Sequence, residues 1–221
     1  MDRLGRQLDV FLDSLLDRLD PAMAAEFRRL ENSHPANAGD RKRIGLGDLA
    51  PDFTLLDQNA GEVSLSGQLR HGPVVLSFYR GGWCPFCTMT LRAMEKIRQE
   101  AAREGATILM ISPQRQEESV ATARRNFLHF PVLSDYGNAV ARRYGLVWPV
   151  EPQRRALLER LGHDLSRINA TPDWELPVAA GYVIAPDGRV VSAHVDPRIN
   201  RRMEPQAALA ALRERVQHPA G

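Results

Sequence analysis

Phe78-Tyr79-Arg80-Gly81-Gly82-Trp83-Cys84-Pro85-Phe86-Cys87 is the stretch on which the reading of this chain turns, because it holds the only two cysteines among 221 residues. Val74-Val75-Leu76-Ser77-Phe78, a run of the kind that fills a buried strand, leads into it. A helical pattern leads out of it: Met89, Leu91, Met94 and Ile97 share one side, with Arg92, Glu95, Lys96 and Gln99 between them. The pair therefore sits on a strand-to-helix turn, with Cys84 near the helix start and Cys87 one turn further in. Pro85 suits the first helical position, where a missing N–H costs nothing.

That placement carries chemistry. Unpaired N–H groups and the positive end of a helix dipole favour a thiolate over a thiol, and the thiolate is the nucleophile. Residues i and i+3 are neighbours on a helix surface, so the two sulfurs can bond with little backbone movement. Cys84 reads as the attacking sulfur and Cys87 as its resolving partner. Gly82, Trp83 and Pro85 flank Cys84 and are expected to bind the substrate, Trp83 by shielding one side and Gly82 by permitting close approach. Competing readings are weaker. A zinc site needs two further ligands, and His34, His71, His129, His163, His194 and His218 are scattered. A structural disulfide across so short a loop restricts the unfolded chain little.

Composition narrows the class. With 43% hydrophobic and 25% charged residues the chain is a globular domain with additions, neither disordered nor membrane-spanning. No apolar run approaches a transmembrane length, and the first residues lack the uninterrupted apolar core of a signal peptide. With so few cysteines, a reducing cytoplasm is the expected compartment. A net charge of +2 is too small to argue for nucleic acid. No metal or other cofactor is expected.

The chain in order supports an α/β reading. Residues 1–40 are expected to form an N-terminal helical extension and linker. Leu4, Leu8, Phe11, Leu15 and Leu19 recur at helical spacing, and Asp20-Pro21 caps a second helix with Met23, Phe27 and Leu30 inward. This hairpin can dock on its own domain or on a second subunit, self-docking being the simpler expectation. Residues 41–218 form the main domain. Strands are predicted at Phe53–Leu56, Glu62–Leu65, Val74–Phe78, Thr107–Ile111, Pro131–Leu133, Gly181–Ile184 and Arg189–Ala193, with helices between and a final one from Pro205 to about Val216. Ser112-Pro113-Gln114 follows a strand's carboxyl end, a place either for a ligand crevice or for a plain turn. Residues 149–176 read as a helical insertion with Leu157, Leu158, Leu161, Leu165 and Ile168 on one buried face. The result is a mixed β-sheet flanked by helices.

Trp83-Cys84-x-x-Cys87 on such a turn resembles the thioredoxin fold. Gly47 to Leu55, Val74 to Cys87, Phe130 to Asp135 and Tyr182 to Gly188 together resemble a peroxiredoxin, within the alkyl hydroperoxide reductase and thiol-specific antioxidant family. Glu175-Leu176-Pro177 and Arg202-Met203-Glu204-Pro205 are similar to its Cys-Pro-x-Cys branch. The resemblance implies a thioredoxin-like (peroxiredoxin-type) fold and a thiol peroxidase. Cys84 would attack the O–O bond of hydrogen peroxide or an alkyl hydroperoxide and become a sulfenic acid. Cys87 would resolve it to a disulfide, and thioredoxin or a similar thiol donor would reopen that disulfide. Such domains are frequently dimers, so the resemblance allows a homodimer, on which the sequence itself is silent.

Two departures stand out. The resemblance calls for a Pro seven residues before the peroxidatic cysteine and a Thr or Ser three before it, where this chain has Ser77 and Gly81. It also calls for an Arg at about Ala179. The hydroxyl and the cation that would steer a peroxide are therefore missing, and Arg80 is the candidate substitute for the lost electrostatics. The alternative is a thiol–disulfide oxidoreductase using the same pair on protein disulfides. A third, non-enzymatic reading is a redox-sensing scaffold whose hairpin binds a partner.

Overall fold

Leu4–Arg18 (α1) and Pro21–Asn32 (α2) open the computed structural model, which describes residues 3–33 and 43–217. Most of the expected linker lies outside the described residues, as do His34 and His218. The Asp20 carboxylate accepts from the N–H groups of Ala22 and Met23 at 3.1 and 3.0 Å, and Pro21 fills the first helical position. The hairpin docks on its own chain. Leu4, Leu8, Leu16, Phe27 and Leu30 join the core cluster that contains both cysteines. Phe11 meets Phe86 edge to face at 5.1 Å. The N-terminus of α1 lacks a side-chain cap of its own. The Glu204 carboxylate does that work from the far end of the chain, accepting from Leu4 and Gly5 N–H at 2.9 and 2.8 Å.

Thr54–Leu56 (β1) and Glu62–Ser64 (β2) form an antiparallel edge pair, followed by a short helix, Leu65–Leu69 (α3), where the sequence pattern extends the strand. Val74–Phe78 (β3) is buried throughout and feeds Pro85–Arg103 (α4) through the cysteine turn. Thr107–Ser112 (β4), Gln116–Asn126 (α5) and Val132–Ser134 (β5) continue the alternation. The sequence pattern from Tyr136 to Tyr144, one of the helices predicted between the strands, is broken in the structure. Gly137 and Asn138 take left-handed φ of +65° and +55°, which leaves a single 3₁₀ turn before Ala139–Arg143 (α6).

Val147–Pro149 (β6) and Glu175–Pro177 (β7) pair antiparallel and close the base of the insertion. Between them lie Pro152–Arg160 (α7) and Leu165–Ile168 (α8). Ala180–Ile184 (β8), Val190–Val195 (β9) and Pro205–Gln217 (α9) complete the chain. The main sheet runs in the order β2-β1-β5-β4-β3-β8-β9. β3, β4 and β5 are parallel, and β1, β8 and β9 are antiparallel to their neighbours. This is a mixed sheet flanked by helices, and it sets β3 in its interior, between β4 and β8, with the cysteine turn at its carboxyl end. Among the described residues no helix is long and apolar enough to cross a membrane.

Because the hairpin shares the core of the domain, both should unfold together. Leu8, 0% exposed, is the test. Leu8→Ala is expected to cost about 2–5 kcal/mol by leaving a cavity, seen as one denaturant transition shifted as a whole. A main transition left in place would mean that the hairpin is an independent appendage.

Candidate active site

The turn after β3 places both sulfurs where the sequence puts them. Cys84 is the N-cap of α4, with extended backbone (φ −88°, ψ 115°), and Pro85 is the first helical residue. The Cys84 carbonyl accepts the first helical hydrogen bond, from Thr88 N–H at 3.0 Å. Gln114, at the end of β4, holds the turn in place. Its Oε1 accepts from Gly82 N–H at 2.7 Å and from the Ser112 hydroxyl at 3.4 Å. The crevice reading of Ser112-Pro113-Gln114 thus has a specific content: Gln114 sets the geometry of the cysteine loop.

Both cysteines are free thiols and buried, Cys84 to 2% and Cys87 to 0% exposure. They differ in access. Cys84 lines a cavity of about 160 Å³, together with Arg80, Trp83 and Pro85, whereas Cys87 lies behind it. Gly82 is not part of that wall, since its N–H is committed to Gln114 and a side chain there would run into Thr122 of α5. A larger groove of about 620 Å³ lies between α1, α4 and the start of α9, and neither cysteine lines it.

The electrostatics refine the expectation from the helix dipole. The sulfurs are hydrogen-bonded and share one proton, so they titrate as a pair. The hydrogen bond from Cys84 pulls the Cys87 thiol down to about 5, assisted by Arg202, Arg80 and the Arg80 backbone N–H. The same hydrogen bond, with burial and the neighbouring charge, pushes the Cys84 thiol up. In the reduced pair one proton and one negative charge are therefore shared between the two sulfurs, where the helix start alone suggests a charge on Cys84. Access differs where charge is shared: Cys84 borders the cavity and Cys87 does not.

Arg80 is buried to 4% exposure. Its Nη2 donates to the Pro197 carbonyl at 3.2 Å, its guanidinium lies 5.9 Å from the Trp148 ring centre, and its Nε has no acceptor among the described residues. Arg202, which the sequence reading names only within a family-like tetrapeptide, is the missed residue. It is buried, with Nη1 held by the Arg198 and Arg201 carbonyls, while Nε and Nη2 have no acceptor among the described residues. Its segment is pressed onto the sheet because Gly181 leaves room for the Met203 side chain. Ser77 plays no part in the site, since its hydroxyl donates to the Ala180 carbonyl at 2.9 Å and ties β3 to β8.

The cavity is roofed by segments that sequence alone leaves without a role. Leu15, Phe27 and Leu30 of the hairpin face Leu157, Leu158 and Leu161 of the insertion across it. Arg154 joins the two sides, donating to Glu31 at 2.6 Å and to the Leu30 carbonyl, and Arg160 pairs with Glu26. Trp148, under the insertion, lies 5.2 Å from the Arg154 guanidinium. His163 packs on Trp83 with ring centres 4.8 Å apart and ring planes tilted by 43°, and its burial lowers its pKa. Among the described residues no cluster of His, Cys, Asp and Glu could hold a metal ion.

Residues 46–193 match the model of the AhpC/TSA family. The chain is 35% identical to the chloroplastic peroxiredoxin Q of Triticum aestivum over 104 residues, 47% of this chain and 48% of that protein. It is 31% identical to peroxiredoxin Bcp of Escherichia coli K12 over 105 residues, 48% of this chain and 66% of that protein. It thus spans about half the length of the first relative and less than two thirds of the second. Among solved structures it is similar to peroxidoxin BcpB of Mycobacterium tuberculosis, with a TM-score of 0.61 and 25% identity over 78% of this chain and 98% of that one.

The shared charge makes a direct prediction. Alkylation of the reduced protein by iodoacetamide, followed against pH by mass spectrometry, should show a midpoint well below the roughly 8.5 of a free thiol. Arg202→Met removes a cation that favours the charged pair, so the midpoint should move up. An unchanged midpoint would mean that Arg202 does not act on the sulfurs.

Proposed function

The chain belongs to the AhpC/TSA family, and from that premise we propose that it is a thiol-dependent peroxidase. Its substrate is hydrogen peroxide or an alkyl hydroperoxide, and its electrons come from thioredoxin or a similar thiol donor. The observation that carries this reading is the division of labour between the sulfurs: Cys84 faces the cavity and Cys87 is sealed behind it.

The cycle follows from that arrangement. As a peroxide enters, the proton on Cys84 passes to the Cys87 sulfur, leaving a thiolate at the cavity wall. This sulfur attacks the terminal oxygen of ROOH; an S–O bond forms, the O–O bond breaks, and RO⁻ leaves. RO⁻ takes the proton from Cys87 and departs as alcohol or water. The sulfur of Cys84 has lost two electrons and is now a sulfenic acid. The Cys87 thiolate attacks it, the S–S bond forms, and hydroxide leaves with a solvent proton as water. Arg80 and Arg202 hold the negative charge as it moves between sulfur and oxygen, where buried donors act most strongly.

The roof favours this reading over the disulfide-reductase alternative. A small peroxide fits beneath it as it stands, whereas a protein disulfide, like the thiol donor that reopens the oxidised pair, needs the roof to part from a sulfur that is 2% exposed. A pair of free cysteines with no others in the chain suits a reducing compartment such as the cytoplasm. Docking of the hairpin on its own domain leaves any homodimer to other surfaces.

Cys84→Ser is expected to abolish turnover. Cys87→Ser should allow one turnover that ends in a sulfenic acid on Cys84, trapped by dimedone and read by mass spectrometry. Reduced wild-type protein that reacts with hydrogen peroxide no faster than a free thiol would remove the peroxidase reading. Rapid reduction of insulin disulfides would install the alternative.

A further inference from the structure

Position 81 departs most from the resemblance, and its surroundings explain the departure. Gly81 takes a φ of +147°, a conformation that side chains rarely adopt. A side-chain carbon built there would land on the indole nitrogen of Trp83. The space a residue-81 side chain would use is already filled, and what fills it is an N–H donor.

That donor has no partner among the described residues. Trp83 Nε1 is buried without an acceptor among the described residues, although Trp83 lines the same cavity as Cys84. Leaving a buried N–H unpaired opposes folding, and natural proteins rarely keep one without a use. The ring is also held firmly. His163 packs against it at a tilt of 43°, and the Gly82 N–H to Gln114 bond fixes the backbone just before it. An unpaired donor on a residue of the cavity wall, beside a nucleophile, is complementary to an oxygen that gains negative charge there.

We infer that the Trp83 indole N–H is the peroxide-orienting donor of this site, a catalytic residue that hydrogen-bonds an oxygen of the substrate and stabilises it as the O–O bond breaks. The indole keeps its proton throughout. It rests on the peroxidase reading and deepens it by naming the group that makes the cavity selective for an O–O bond over other electrophiles. Iodoacetamide, which has no such oxygen, gains nothing from that donor.

The test compares Trp83→Phe, which keeps an aromatic ring but removes the N–H, with Trp83→Leu, which removes both. Peroxide consumption is followed by quenched-flow mass spectrometry, and Cys84 alkylation by iodoacetamide is measured at the same pH. Both variants should react with hydrogen peroxide and cumene hydroperoxide at least about tenfold more slowly, while alkylation stays within about twofold of wild type. A Phe variant that keeps the wild-type peroxide rate would overturn the inference, as would peroxide and alkylation rates that fall in parallel. Wild-type protein no faster than a free thiol would instead remove the peroxidase reading and the inference with it.

Discussion

One negative charge, shared by two buried sulfurs, is the constraint on which the rest of this structure depends. A thiolate out of water is costly unless groups of opposite sign or hydrogen-bond donors replace its hydration. The chain brings those groups from separate places. Arg80 comes from the turn itself, Arg202 from the segment before α9, and the helix start from α4. Placing them requires the central strand to end at the turn, Gln114 to hold the loop, and Gly181 to let residues 202 and 203 approach the sheet. Each is a structural detail of the fold with an electrostatic purpose.

The frame of the site is legible in the sequence because it is local. A buried strand, a glycine pair, a cysteine at the N-cap and a proline at the first helical position lie within fifteen residues, and each speaks through its own backbone preference. Asp20-Pro21 is legible for the same reason, and so is the amphipathic spacing of Leu4, Leu8 and Leu15. The strands β6 and β7 are not legible, since each is three residues long and ends in a proline that weakens the pattern. The break at Gly137 and Asn138 hides inside a run that otherwise reads as helix.

The electrostatic partners were hidden for a different reason. Arg154 and Arg202 sit among many arginines in polar stretches, where the usual expectation for a cation is a solvated surface. Burial reverses that expectation, and burial here is produced by contacts between remote segments. Arg154 is buried because the hairpin meets the insertion over Trp148, and Arg202 because Met203 packs at Gly181. No spacing rule on one segment reports such a meeting. The assignment of charge between the cysteines belongs to the same class, since it depends on a hydrogen bond between the sulfurs and on cations supplied from elsewhere.

The shared charge also bears on how the site is recycled. Oxidation to a disulfide removes the thiolate while Arg80 and Arg202 stay buried beside it. The cations that stabilise the reduced pair then have no counter-charge, and an unpaired buried charge is unfavourable. Stabilising the thiolate form of a dithiol makes its disulfide a stronger oxidant, one that a thiol donor opens readily. The same two guanidinium groups would thus assist both halves of the proposed peroxidase cycle: they favour the nucleophile before the peroxide arrives and the return to it afterwards. The roof of hairpin and insertion sharpens both effects by keeping water, which would screen those charges, away from the sulfurs.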